Sequence, residues 1–85
     1  MSYFVYAIHN GRHDKIYIGQ TQDLERRIFE HNNKFAKHNF TARFDGGWSV
    51  IYREEVPSLK EALQRERQLK SFQGRQFIKQ FNIPR

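Results

Sequence analysis

Between Lys15 and His31 the hydrophobic pattern changes period from two to about 3.6, which a strand running directly into a helix accommodates. Ile16 and Ile18 fall on one side of the alternating segment and Tyr17 on the other, as in a half-buried strand. Gly19 is the expected structural turn, letting the backbone swing from strand to helix. Thr21 is the expected N-cap, Asp23 and Glu25 suit the positive helix end, and the helix is expected from Gln22. Leu24 and Ile28 form its apolar stripe, and Arg27 and His31, three and seven residues beyond Leu24, border that stripe. Burying a charge without a partner costs several kcal/mol, so these two polar groups point to a cleft. A guanidinium can also snorkel past a core edge, and a histidine can simply end a helix.

Pro57 to Phe72 carries a second helical signal. Ser58 and Glu61 form a Ser-x-x-Glu capping box, and Leu59, Ala62, Leu63, Leu69 and Phe72 recur at helical spacing. Glu66 completes that stripe, three residues after Leu63 and three before Leu69. A carboxylate on a core-facing position needs a cation, either Arg27 or a neighbouring arginine in an ion pair, or a bound metal.

The remaining segments supply a sheet. Tyr3 to Ile8 has strand composition, and Asn10-Gly11 within His9 to Asp14 signals a turn, so the first two strands are expected to pair antiparallel. That pairing brings Tyr6 and Tyr17 close, or leaves them as ordinary sheet-edge tyrosines. His9 and His13 are four apart, but a turn does not present them as a helix would, and no neighbouring ligands complete a zinc site. Asn32 to Arg43 reads as a long loop or irregular helix in which Lys34, Lys37, His38 and Arg43 interleave with Phe35 and Phe40. The charges suit phosphate contact and the rings suit packing.

Asp45-Gly46-Gly47 turns into a third strand, Trp48 to Glu54, with Trp48, Val50 and Tyr52 alternating with Ser49, Ile51 and Arg53. Gln73-Gly74 is the expected stop of the second helix, and Arg75 to Phe81 a short terminal helix with Phe77, Ile78 and Phe81 inward. The order β-β-α-β-α-α predicts an α+β fold, a small three-stranded antiparallel sheet flanked by helices, as one domain over residues 1–85.

Charge narrows the partners. A net charge of +6 on 85 residues creates the field of a polyanion-binding domain, with nucleic acid the first candidate. No pattern reads base edges, so Lys34, Lys37, Arg43, Arg65 and Lys70 are expected to contact phosphates. A membrane surface is disfavoured because the core already requires the apolar helix faces. Cysteine is absent, which excludes disulfides and thiolate zinc and fits a reducing compartment. The Tyr3 to Ile8 run is too short to span a bilayer and lacks a basic leader, so a soluble cytoplasmic protein is expected.

These residues together resemble the GIY-YIG nuclease superfamily, most closely its small, single-domain, excision-repair-nuclease-like members. Phe4-Val5-Tyr6 matches the first signature tripeptide in degenerate form, with Phe4 and Val5 in place of glycine and isoleucine, and Tyr17-Ile18-Gly19 matches the second. The helix arginine matches Arg27, the histidine one turn later His31, and the later glutamate Glu66 within Ala62 to Lys70. The resemblance implies an endonuclease that hydrolyses phosphodiesters, with DNA favoured over RNA, in a repair, recombination or restriction-like role. It implies Mg²⁺ on Glu66, with Mn²⁺ as a substitute, Arg27 on the scissile phosphate, and Tyr6 or Tyr17 as general base. His31 is left sharing the proton transfer or orienting the phosphate. A noncatalytic nucleic-acid-binding module, or an accessory subunit whose protein partner supplies recognition, stays open beside this reading.

Overall fold

The apolar run at the start of the chain becomes the central strand of a three-stranded antiparallel sheet, because side chains on both of its faces are covered. A computed structural model describes residues 2–33 and 43–81. Its elements are β1 (Tyr3–Asn10), β2 (Lys15–Thr21), α1 (Leu24–Asn33), β3 (Trp48–Val56), α2 (Leu59–Lys70) and α3 (Phe72–Lys79). The sheet order is β2-β1-β3, with both neighbours antiparallel to β1. Val5, Ala7 and Ile18 pack on one face with Ala62 and Leu69 of α2 and Ile78 of α3. Tyr6, Ile8 and Trp48 pack on the other with Leu24 and Ile28 of α1. Among the described residues no helix is long and apolar enough to cross a membrane.

Two side-chain amides fasten the loops. The Asn10 side chain accepts from the backbone N–H groups of Arg12 (3.0 Å) and His13 (3.1 Å) and donates to the Asp45 carbonyl (2.9 Å), which closes the hairpin and ties it to the segment before β3. Asn32 accepts from the Trp48 N–H (2.7 Å) and donates to its carbonyl (3.1 Å), so the end of α1 is locked to the start of β3.

The structure corrects several local expectations. Gly19 is not a turn: the strand continues through it to Thr21. The N-cap of α1 is Asp23, whose carboxylate accepts from the Arg26 N–H (3.1 Å), while Thr21 accepts from the Asp23 N–H (3.2 Å) and shapes the bend before it. An aspartate two residues nearer the apolar stripe therefore takes the role expected of Thr21. Ser58 does cap α2, accepting from the Glu61 N–H (3.2 Å). The apolar stripe of α2 is narrower than its spacing implied: Ala62 and Leu69 are buried, Leu59 and Leu63 are exposed, and Phe72 is 77% exposed.

Gln73-Gly74 is not a stop but lies inside α3. The break falls at Ser71, which bonds the Gln68 carbonyl (2.6 Å) and accepts from the Gly74 N–H (3.1 Å). Of the terminal helix only Ile78 is buried, and Phe77 and Phe81 instead stack beside Tyr52 at 5.5 and 5.1 Å. In β3 an irregularity in pairing, Ala7 with Tyr52 but Ile8 with Val50, breaks the alternation. Tyr52 consequently joins the α2 side and Trp48 the α1 side.

Candidate active site

The pairing of β1 with β2 sets Tyr6 opposite Gly19 and Ile8 opposite Tyr17. Residues on one sheet face reach their diagonal neighbours, so the two tyrosine rings meet across the glycine, with centroids 6.3 Å apart. A Cβ on residue 19 would lie 2.8 Å from the Tyr6 hydroxyl and 2.9 Å from Tyr17 Cε2. The glycine is needed for the absence of a side chain, not for a turn.

Helix α1 brings the next two groups. Its buried stripe runs through Leu24 and His31, and His31 Nε2 lies 2.9 Å from the Tyr6 hydroxyl with its ring 5.0 Å from that of Tyr17. Burial pushes the Tyr6 pKa up to about 12, opposed by a hydrogen bond from Arg27 and reinforced by the charges of Tyr17 and Glu66. Burial, aided by the Arg27 charge, pushes the His31 pKa down to about 4. The phenol is therefore protonated and the imidazole neutral near pH 7. Because Arg27 can only donate, the arrangement using all three groups has Arg27 donating to the phenol oxygen and the phenol donating to Nε2. Burial works against the Arg27 charge, but hydrogen bonds with Tyr6 and Glu30 outweigh it and raise its pKa. Glu30 grips both neighbouring arginines, Arg27 at 3.1 Å and Arg26 at 3.3 Å.

The buried neutral imidazole makes stability depend on pH. Its folded pKa lies below the ordinary 6.5, so its contribution is complete above that value and is lost as pH falls toward 4, where only the unfolded chain gains the proton readily. The expected loss is about 2 kcal/mol by pH 5 and about 3 kcal/mol by pH 4. Denaturant melts at pH 7.5 and 5 should show it in the parent and not in His31→Gln. An equal pH response in both proteins would mean that His31 titrates as a solvated group.

Glu66 lies in the other helical layer, and its only hydrogen bond or ion pair among the described residues is within α2. Its side chain is 21% exposed on the face of α2 that carries Ala62 and Leu69, and its charge is felt at Tyr6. Its partner is Lys70, with Nζ 2.7 Å from Oε2, and not Arg27 or another arginine. An (i, i+4) Glu–Lys pair forms within one helix face, whereas Arg27 is already taken by Glu30. Among the described residues no group of three His, Asp or Glu side chains is arranged to hold a metal. The donor chemistry still fits Mg²⁺, which is commonly held by one or two carboxylates with water and phosphate completing its shell. The Lys70 ammonium holds Glu66 Oε2 in this half-buried position.

Of the expected phosphate contacts, Lys34 and Lys37 lie outside the described residues, and Arg43 is exposed. Arg65 is bound to Glu54 at 2.6 Å and Lys70 to Glu66, so both are largely neutralised. His9 bonds Asp14 (2.8 Å) and His13 bonds Asp45 (2.5 Å), which joins loops and builds no zinc site. The sequence reading missed Glu30. Its spacing four residues after Arg26 was the available signal.

The profile of the GIY-YIG catalytic domain matches residues 2–80. A UPF0213 protein of Staphylococcus haemolyticus is 33% identical over 78 residues, 91% of this chain and 90% of that protein. A UPF0213 protein of Staphylococcus saprophyticus is 34% identical over 65 residues, 75% of this chain and 76% of the relative. The solution NMR structure of a UPF0213 protein from Bacillus halodurans superposes with a TM-score of 0.53 at 28% identity, covering 92% of this chain and 82% of that one. The two share an α+β fold of three antiparallel strands flanked by helices. The chain belongs to the GIY-YIG catalytic-domain family.

Proposed function

We propose that this protein is a divalent-metal-dependent endonuclease that hydrolyses phosphodiester bonds, in DNA before RNA. The observation carrying this reading is the convergence of Tyr6, Tyr17, His31 and Arg27 around the side-chain-free Gly19, with the Glu66 charge acting on the same phenol. Glu66 would hold Mg²⁺, which when bound neutralises phosphate charge and acidifies coordinated water. Arg27, held by Glu30, donates to the nonbridging oxygens of the scissile phosphate and stabilises the charge that develops there. Tyr6 is wholly buried with a raised pKa, so it keeps its proton and fixes the His31 ring. Tyr17 is only half buried on the same cluster and is the phenol that can meet the attacking water; it is our general base.

A panel of labelled single-stranded, duplex, flap and branched DNA and RNA tests the reading. Cleavage is expected with Mg²⁺ or Mn²⁺ and none in EDTA. Tyr17→Phe should lose about 10² to 10⁴ in rate, the usual worth of a positioned base, and Tyr6→Phe distinctly less. The reverse order would move the base to Tyr6. Binding without cleavage of any substrate would defeat the nuclease assignment.

A further inference from the structure

Not all of the positive charge lies around the tyrosines. Lys15 at the start of β2 and Arg75 and Lys79 on α3 line a groove of about 630 Å³, together with Ile16, Ile18 and Ile78. The three cations are exposed, and among the described residues none of them has a carboxylate within ion-pair distance. Asp14 is the acid at the rim, and it is bonded to His9 at 2.8 Å. This contrasts with Arg65 and Lys70, whose charges Glu54 and Glu66 offset.

The groove is also built, not merely charged. Arg75 Nε donates to the Lys70 carbonyl at 3.0 Å, which fixes the guanidinium stem and leaves the terminal nitrogens as donors. Lys15 stands at the β2 rim, its ammonium 5.8 Å from the centroid of Phe44, a ring on the α1 side of the sheet. The location matters as well. Ile16 and Ile18 flank Tyr17 on β2, so one strand separates the groove from the tyrosine cluster, and Lys70 links its α3 wall to Glu66.

We propose that this groove is a second nucleic-acid contact, in which the phosphate backbone flanking the cleaved bond runs along Arg75 and Lys79 on the α3 wall and passes Lys15 at the β2 rim. Exposed cations with no carboxylate partner among the described residues complement a row of phosphates. An anionic membrane fits less well, because Ile18 and Ile78 are buried and offer no apolar surface for insertion. The identity of the ligand rests on the nuclease reading, and the groove itself does not depend on catalysis.

The test is the salt dependence of binding to labelled DNA in EDTA, for Lys15→Gln, Arg75→Gln, Lys79→Gln and the triple variant. Each lost phosphate contact should cost about tenfold in affinity near 0.1 M salt and make the slope of log K against log salt shallower by about 0.9 on a duplex. Lys60→Gln, an exposed charge on α2 outside the groove, should leave the slope unchanged. Circular dichroism confirms folding, and Lys79→Gln alone, on an exposed helix position, decides the matter if the triple variant unfolds. Slopes that match the parent in the groove variants, or that fall equally in Lys60→Gln, overturn the proposal while leaving the nuclease reading intact. So would charge-dependent capture by anionic vesicles with DNA binding unaltered. Loss of DNA affinity in the groove variants of a protein that never cleaves supports the groove and removes the nuclease reading instead.

Discussion

Glu66→Ala is expected to abolish Mg²⁺-dependent cleavage while affinity for nucleic acid in EDTA stays level or rises. The substitution removes one negative charge from a chain already at +6 and releases Lys70, which then adds to the attraction for phosphate. The fold should survive, because a partly exposed (i, i+4) pair is worth only about 0.3 to 0.5 kcal/mol and the Lys70 ammonium remains hydrated. Loss of activity can therefore be assigned to the missing carboxylate. Arg27→Ala should behave differently: losing a preorganised donor at the transition state costs about 10² to 10³ in rate, and binding weakens modestly with the lost phosphate contact. Single-turnover cleavage and EDTA binding separate the two variants. A folded Glu66→Ala protein that cuts at the parental rate would place the metal elsewhere.

The second large effect concerns stability. A Cβ on Gly74 would overlap the Gln68 carbonyl oxygen and lie 2.5 Å from Leu69 Cα and 2.7 Å from Leu69 C. All three atoms are backbone, so no side chain can rotate away, and Gly74→Ala must push α3 off the end of α2. That helix carries Ile78 into the core and Arg75 and Lys79 to the groove. Overpacking of this kind costs about 1 to 3 kcal/mol or more, which in a domain this small lowers Tm by roughly 5 to 20 °C. Gly11→Ala is the control, since a Cβ there meets nothing within 4 Å. Thermal melts that rank the two variants equally would show that α3 does not pack against α2 as described.

Both predictions turn on a residue whose neighbourhood the sequence did not fully disclose. Much else was legible, because it is governed by interactions within one segment. The period change after Lys15, the turn signal at Asn10-Gly11 and the Ser58 cap each act within one continuous segment, and the hairpin, the strand-to-helix passage and α2 all form where those signals lie. Helical face-counting set His31 and Glu66 on the core-facing side of their helices, and His31 is buried and Glu66 half-buried there, since that rule depends only on the pitch of the helix.

What the sequence by itself determined, then, was the strand and helix elements, the positive field and the polar residues forced toward the core. Tertiary structure decided which of them meet. Gly19 looks like a turn residue until a second strand places Tyr6 across from it, and Gly74 looks like a helix stop until α3 folds back onto the backbone of α2. Glu66 pairs with Lys70 one turn away while Arg27 pairs with Glu30 on α1, and the charges of Arg75 and Lys79 came to border β2 only when Ile78 of α3 packed into one core with Ile18. Each of these outcomes depends on close approach between segments distant in sequence, and local spacing carries no record of the distance between two backbones.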